Sequence, residues 1–533
     1  MKISVFIMRP ITTLLVGICL LLGDGLAPAN AGVTIITHGL NGNVDGWVSG
    51  MASNIPNYFR FPATNFTAYR MYFYFSAGSY YLTAERVAGS NPISNESGEI
   101  IIKLDWRELA SGNTYNTFQV AGAVAPALMN TNFIPELGGH ALAEFPLHLI
   151  GHSRGGSLVS EVSRLLGTNG VWVDHMTTLD PHPLNDPAFP LDQFAYSAVD
   201  APANTYENVV FHDNYWQDLG FFVYGKSVAG AYVRKLLNLD GGYTGTSGPH
   251  SDVHLWYHGT IDLRNPADDT EKSITSAERN SWWSSYEAQG VTAGFNYSLI
   301  GRGDRTSSDR PVGSGGGMIR DGFNQWWDLG AGTSNNRMAL PANNGNWPNL
   351  IKFNRATTNQ VVQGQTMSVA FYWQWAKPAS SLATIGSYLD DDLNPLNENQ
   401  TLVREVVVPA TGASSISFAT TNLTVFASNA APGYHAVLGK ITGGGRSRFF
   451  YAPELVEIIP VRLPPTLDVS KINSTQYRIG VEGLPGQVIV LQNSTNLQMW
   501  SSLATNTLTT NRWVHTNTPA SGTERGFYRA LLP

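Results

Sequence analysis

Phe145-Pro146-Leu147-His148-Leu149-Ile150-Gly151-His152-Ser153-Arg154-Gly155-Gly156-Ser157-Leu158-Val159 runs from an apolar strand through a glycine-flanked serine into a helix. The helix is read from Leu158, Val159, Val162, Leu165 and Leu166, which fall on one face at helical spacing, with Gly167 where a C-terminal cap belongs. Gly-x-Ser-x-Gly between a strand and a helix is the nucleophile-elbow arrangement, in which a sharp turn lifts the serine hydroxyl above the sheet edge. Working outward, residues 33–37 read as a buried strand leading into His38-Gly39-Leu40-Asn41-Gly42. Stretches 71–75, 100–106, 171–179 and 208–212 read as further strands, and 115–129 as a helix. This alternation predicts a parallel α/β sheet over residues 32–265.

A serine hydroxyl needs a base to take its proton, and the base needs a carboxylate to orient it. The chain order expected after an elbow serine is acid, then histidine. Asp180, in Leu179-Asp180-Pro181-His182-Pro183 at a strand end, is the first choice of acid, with Asp213 after the next strand as the alternate. For the base, Gly248-Pro249-His250-Ser251-Asp252-Val253-His254 offers His250 on a loop and His254 inside the following helix as its alternate. His250, His254 and His258 recur at every fourth residue, as metal ligands on one helical face would. The zinc-protease pattern needs a glutamate directly after the first histidine, where Ser251 stands, so no metal is assigned. Oxyanion donors are expected from the backbone amides of Arg154 and of Leu40 in the loop after the first strand. His38 and His152 also fit as packing residues, and His148 and His182 have no evident partner.

Beyond residue 265, residues 266–345 are dense in Gly, Asn, Ser and Trp without periodicity and read as an irregular extension or linker. Residues 346–462 alternate in short runs suited to a β-sandwich, and after Pro464-Pro465 the segment 463–533 reads as a small β domain. The expected fold class is therefore α/β followed by all-β C-terminal domains. Asp390-Asp391-Asp392-Leu393-Asn394 spaces oxygen ligands as a calcium loop does but lacks the glycine and closing glutamate of that pattern, so it reads as a solvated turn. Arg302-Gly303-Asp304 reads as chance, and residues 219–224 as core or as part of an acyl pocket.

The chain has 533 residues, of which 43% are hydrophobic and 14% charged, with 53 glycines and 29 prolines. That is a globular, turn-rich, several-domain composition. A net charge of −7 offers no cationic surface for phosphates, which argues against nucleic acid as a partner. Lys2 and Arg9, the mostly apolar run 11–22 and Ala29-Asn30-Ala31 form a secretory leader expected to be cut after Ala31, which removes the single cysteine, Cys19. The run is too short to span a bilayer, so no transmembrane segment and a secreted, extracellular or periplasmic, protein are expected.

Thr37-His38-Gly39-Leu40, Gly151-His152-Ser153-Arg154-Gly155-Gly156 and Leu179-Asp180-Pro181, in this order, resemble the secreted α/β-hydrolase lipases and esterases, and Leu-Asp-Pro resembles the pancreatic-lipase branch. The resemblance implies an α/β-hydrolase domain, hydrolysis of carboxylic esters, Ser153 as nucleophile, Asp180 as acid, and the Leu40 and Arg154 amides as oxyanion hole. The histidine motif departs from that branch, which places its histidine beside cysteines in a disulfide-bonded loop. Asn493-Ser494-Thr495-Asn496-Leu497, Trp500 and Phe527-Tyr528-Arg529 resemble short β-modules that close many exported bacterial proteins. The expected activity is a serine esterase or lipase that uses no cofactor and acts on an ester or lipid, with surface or polymer contact through the C-terminal β domains. The alternatives are an inactive surface-binding or adhesive protein, and a peptidase or thioesterase on the same fold.

Overall fold

A computed structural model describes residues 3–5, 32–58, 66–94, 98–220, 222–262, 268–282, 294–300, 337–355, 359–412, 416–426, 430–452, 455–461, 463–523 and 525–533. The chain divides into two compact units. One comprises residues 1–25, 362–364 and 459–533, the other residues 26–361 and 365–458. In the first, β1 (Ile3–Val5) pairs in parallel with Gly526–Leu531, and the remaining pairings are antiparallel around a small core of Ile479, Val481, Ile489 and Leu491.

The second unit carries the candidate site. Its elements in chain order are β2 (Val33–Thr37), α1 (Trp47–Tyr58), β3 (Thr67–Ser76), β4 (Ser79–Gly89), β5 (Ile100–Asp105), α2 (Thr117–Leu128), β6 (Leu147–His152), α3 (Arg154–Thr168), β7 (Val173–Leu179), β8 (Val209–Trp216), β9 (Tyr232–Lys235) and α4 (Gly248–His258). The strands form one eight-stranded mixed sheet in the order β4-β3-β5-β2-β6-β7-β8-β9, with β4 antiparallel to β3 and the other pairings parallel. Alternate residues of the central strands enter different cores, as a strand's two-residue period requires. Ile35, Ile100 and Leu149 pack with α2 and α3, whereas Ile36, Ile101 and Ile150 pack with α1 and α4.

The expected fold class, an α/β chain built on an α/β-hydrolase domain, is corrected by the proportions and the connections. Among the described residues 39% are strand and 18% helix, several sheets are antiparallel, and the chain is mostly β. Among the described residues α-helices follow β2, β5 and β6 but not β3, β4, β7 or β8. The β7–β8 connection holds only a 3₁₀ turn at Pro190–Phe194, and the described residues between β8 and β9 form no helix. Pro181, Pro183, Pro187, Pro190 and Pro202 in the first connection, and Gly220, Gly225 and Gly230 in the second, account for this. Proline removes a helix donor and clashes with the preceding turn, and glycine loses the most backbone entropy on ordering.

In the same unit, strands Asn349–Arg355, Thr366–Gln374 and Ser417–Thr424 form one antiparallel sheet, and Leu382–Asp390, Thr401–Pro409, Gly433–Gly443 and Arg446–Tyr451 pair antiparallel in another. Buried Arg448 ties them to the start of β7, donating to Asp174 Oδ2 (2.5 Å), the Trp172 carbonyl (2.5 Å) and Asn349 Oδ1 (3.0 Å). Described parts of 266–345 also pack on the eight-stranded sheet. Trp282 Nε1 donates to Asp240 O (2.8 Å), and the Gly294 and Phe295 amides donate to Tyr215 Oη and Thr260 Oγ1. The cleavage site at Ala31, Cys19, Trp283, Trp326, Trp327 and Arg302-Gly303-Asp304 lie outside the described residues. The carboxylates of the Asp390 turn go to separate partners: Asp390 to Tyr451, Asp391 to His435 (2.5 Å), and Asp392 to Asn397 and Asn399 (2.6 and 2.7 Å).

Candidate active site

Ser153 links β6 directly to α3 with φ 59° and ψ −126°, a left-handed region that side chains rarely adopt and that costs of order 1–3 kcal/mol. The turn is held from both sides: Ser153 N donates to Leu179 O (2.9 Å), while Ser153 O accepts from Gly156 N (2.9 Å) and His182 N (3.1 Å). Gly155 is required by proximity, because a Cβ there would stand 2.6 Å from His38 O. Gly39 is required in the same way. Its Cβ would lie 2.5 Å from Ser153 Cβ and 2.9 Å from Oγ, so the loop after β2 runs directly against the serine side chain.

Asp180 is the first residue beyond β7, also at positive φ (45°), and is fully buried. Its amide donates to Tyr215 O (2.7 Å). Its carboxylate accepts three hydrogen bonds: from His250 Nδ1 (2.6 Å), Gln217 Nε2 (2.7 Å) and Gln217 N (2.9 Å). A carboxylate has no proton to give, so the His250 proton sits on Nδ1 and leaves Nε2 as the acceptor of the neutral ring. His250 is not on a loop as expected. Helix α4 already begins at Gly248, and Pro249 fits its first turn, where a missing N–H costs nothing. Position is further fixed by His152, whose Nε2 bonds to the His250 carbonyl (2.9 Å). Burial, followed by the electrostatic effect of the neighbouring His250 and His254 rings, holds His152 well below the ordinary histidine value, so it stays neutral.

The alternates are occupied elsewhere. Asp213 lies within β8 and accepts from His175 Nε2 (2.8 Å), Thr177 Oγ1 (2.6 Å) and Tyr215 Oη (2.9 Å). His254 stands 3.2 Å from Asp269 and stacks on Trp47 with ring centroids 4.3 Å apart. His258 Nε2 meets the Asn54 amide (2.6 Å), and burial brings its pKa down to about 4. The three histidines of α4 thus point to three separate partners. His182, without a partner in the sequence reading, bridges the Tyr224 carbonyl (2.6 Å) and Asp192 Oδ2 (3.0 Å).

Ser153, His250, Leu40, Arg154, Tyr196 and Phe222 line one cavity of about 380 Å³. Ser153 Oγ makes no hydrogen bond to His250 among the described residues; such contacts commonly tighten only around a reacting group. Arg154 opens α3, where the first amides have no partner within the helix, so its N–H is available beside the serine. Neighbours of Leu40 are committed internally, Asn41 N to Ala110 O (3.1 Å) and Gly42 N to Gly39 O (3.2 Å). His38 props this loop. Its carbonyl accepts from Trp106 Nε1 (3.0 Å), and its Nε2 accepts from the Trp106 amide (3.2 Å).

A buried pair that sequence reasoning missed anchors the elbow from behind. The Arg154 guanidinium meets Asp200 bidentately (2.6 and 2.7 Å) and donates to the Ala110 and Tyr115 carbonyls, with both side chains fully buried. Arg154→Ala leaves Asp200 without this counter-charge, and the expected loss is about 3–5 kcal/mol of stability, read from the urea midpoint. A loss under about 1 kcal/mol would show the pair to be expendable.

No protein-family model matches the chain, and no curated protein matches it. Among solved structures, parts of the chain align with red sea bream transglutaminase at 12% identity, over 35% of this chain and 31% of that one, with a TM-score of 0.14. They also align with a beta-glucosidase from Listeria innocua at 17% identity, over 21% of this chain and 16% of that one, with a TM-score of 0.15. The alkylpurine DNA glycosylase AlkC of Pseudomonas fluorescens aligns at 12% identity, over 20% of this chain and 30% of that one, with a TM-score of 0.14. The chain spans less than a third of each of these structures, and likeness at such scores carries no argument about fold or function.

Proposed function

We propose that this chain is an exported serine hydrolase of carboxylic esters. The observation that carries the reading is the bond from His250 Nδ1 to buried Asp180 (2.6 Å), with His250 sharing one cavity with Ser153 at its positive-φ turn. In this reading Ser153 Oγ attacks the ester carbonyl carbon as His250 Nε2 takes the hydroxyl proton, and Asp180 stabilises the imidazolium. The oxyanion is held by the Leu40 and Arg154 amides. Collapse breaks the ester C–O bond, and the alcohol leaves with the His250 proton. Water, deprotonated by the same ring, then releases the acid and restores the serine. Exposed Leu191, Phe194, Leu219 and Phe222, on the two connections that border the cavity, suit an apolar acyl group. The chemistry requires no cofactor.

The test is a fluorophosphonate probe with peptide mapping, together with p-nitrophenyl esters from acetyl to palmitoyl. Labelling is expected at Ser153 alone, with ester turnover. Labelling without ester turnover moves the assignment to an amide or thioester substrate. An unlabelled protein that binds a polymer or cell surface supports the adhesive alternative and ends the hydrolase proposal.

A further inference from the structure

The first described residue of the second unit's sheet region, Gly32, places its backbone nitrogen 2.9 Å from Glu99 Oε2. We propose that cutting the leader after Ala31 turns this contact into a half-buried ion pair between the new amino terminus of Gly32 and Glu99, locking the chain start into the centre of the sheet. The proposal rests on the export reading above and on its cleavage position.

Gly32 is held in place independently of Glu99. Its carbonyl accepts from Ile100 N (2.9 Å), and the next amide, Val33 N, donates to Pro146 O (2.8 Å), so the start of β2 is fixed between β5 and β6. The space is tight, since a Cβ on Gly32 would lie 3.2 Å from Pro146 O and 3.6 Å from Glu99 Oε2. Glu99 is fully buried at the end of the loop into β5, and its Oε1 accepts from Thr34 Oγ1 (3.3 Å). A cavity of about 20 Å³, room for about one water, lies beside the pair and is lined by Thr34, His148, Asp174, His175 and Ser298. Of the titratable groups that face it, Asp174 is paired with Arg448.

In the uncut chain the Gly32 nitrogen belongs to a peptide bond and offers one neutral N–H. Burial then pushes the Glu99 carboxyl well above its ordinary value, favouring the protonated acid. Hydrolysis of the Ala31–Gly32 bond leaves an ammonium with three donors at the same place, and a charge-assisted bond replaces the neutral one. The ammonium favours the carboxylate, and the carboxylate favours the ammonium. Burial lowers an amine, but at half-buried Gly32 the attraction of the Glu99 carboxylate is the larger effect in this proposal, and it raises the folded amino group above its ordinary value of about 7.7–8.0. Its contribution to stability is complete below that range and is lost as pH rises through the raised value.

The experiment compares the chain beginning at Gly32 with the same chain beginning at Asn30, both released from a removable tag. The Gly32 start is expected to melt at least about 3 °C higher at pH 7, and Glu99→Gln is expected to erase the difference. Should Glu99→Gln fail to fold, pH-dependent labelling of the Gly32 amine in the unsubstituted chain replaces it, with half-labelling expected at least about one unit above the ordinary range. Equal melting of the two starts, or an amine that labels at its ordinary pH, overturns the proposal. So does an exported protein whose first residue, read by mass spectrometry, is not Gly32. None of these readouts uses ester turnover, so a failed hydrolase assignment is told apart from a failed lock.

Discussion

Ser153→Ala is expected to lower kcat for a p-nitrophenyl ester by about 10⁶-fold while leaving the fold intact. The size follows from what the substitution removes. Without Oγ there is no acyl-enzyme, so His250 and Asp180 lose their task together, and members of such a unit do not contribute independently. Residual turnover of about 10³–10⁴ over water would come from binding and from the Leu40 and Arg154 amides. The fold should tolerate the change, because the bonds that hold this turn are backbone ones, Ser153 N to Leu179 O and Ser153 O to Gly156 and His182. Alanine meets the same positive-φ strain as serine. A melting temperature within about 2 °C of the parent, beside lost turnover and lost fluorophosphonate labelling, is the expected pattern. Turnover within about tenfold of the parent would remove Ser153 from the reaction.

The elbow was legible in the sequence because its constraints are local. A Cβ on Gly151 would stand 2.1 Å from Gly155 O within the elbow itself, so only glycine fits there; Gly155 against His38 O and Gly39 against the Ser153 side chain add the same demand from the neighbouring loop. The strand end before Asp180 was legible in Leu179-Asp180-Pro181, whereas the strand that carries Asp213 runs on past the end read at His212. β7 ends at Leu179 and puts Asp180 just past the sheet, whereas β8 continues to Trp216 and keeps Asp213 inside. Gln217, the Arg154–Asp200 pair and the bond from His152 to the His250 carbonyl join residues far apart in the chain and leave no periodic trace. The fold class failed for a related reason. Hydrophobic alternation marks single elements and not their proportion, and β4 (Ser79–Gly89), with exposed or half-buried residues along its length, gives no such alternation at all. The proline-rich connection after β7 was the signal against a helix there.

Asp180→Asn is expected to lower kcat by about 10⁴-fold, whereas Asp213→Asn should leave kcat within about tenfold and act on stability instead. At Asp180 three N–H groups converge on one carboxylate, two of them from Gln217. An asparagine has one oxygen to accept and an NH₂ that can only donate, so at least one N–H must face another. Relief comes most simply by moving the His250 proton to Nε2, so that Nδ1 accepts from the new amide. The nitrogen facing the cavity then carries a hydrogen and cannot take the one on Ser153. At Asp213 the same change disturbs His175, Thr177 and Tyr215, none of which lines the Ser153 cavity. The cost there is about 1–3 kcal/mol of stability from unsatisfied buried groups. Its pH dependence carries a sign as well. Burial holds the Asp213 carboxyl above its ordinary value, so the folded state keeps a proton that the unfolded chain releases, and stability falls as pH rises from about 4. Asp213→Asn abolishes that slope, whereas Asp180→Asn leaves it in place. If instead Asp213→Asn removes turnover and Asp180→Asn spares it, the acid is misassigned and the bond from His250 to Asp180 is structural.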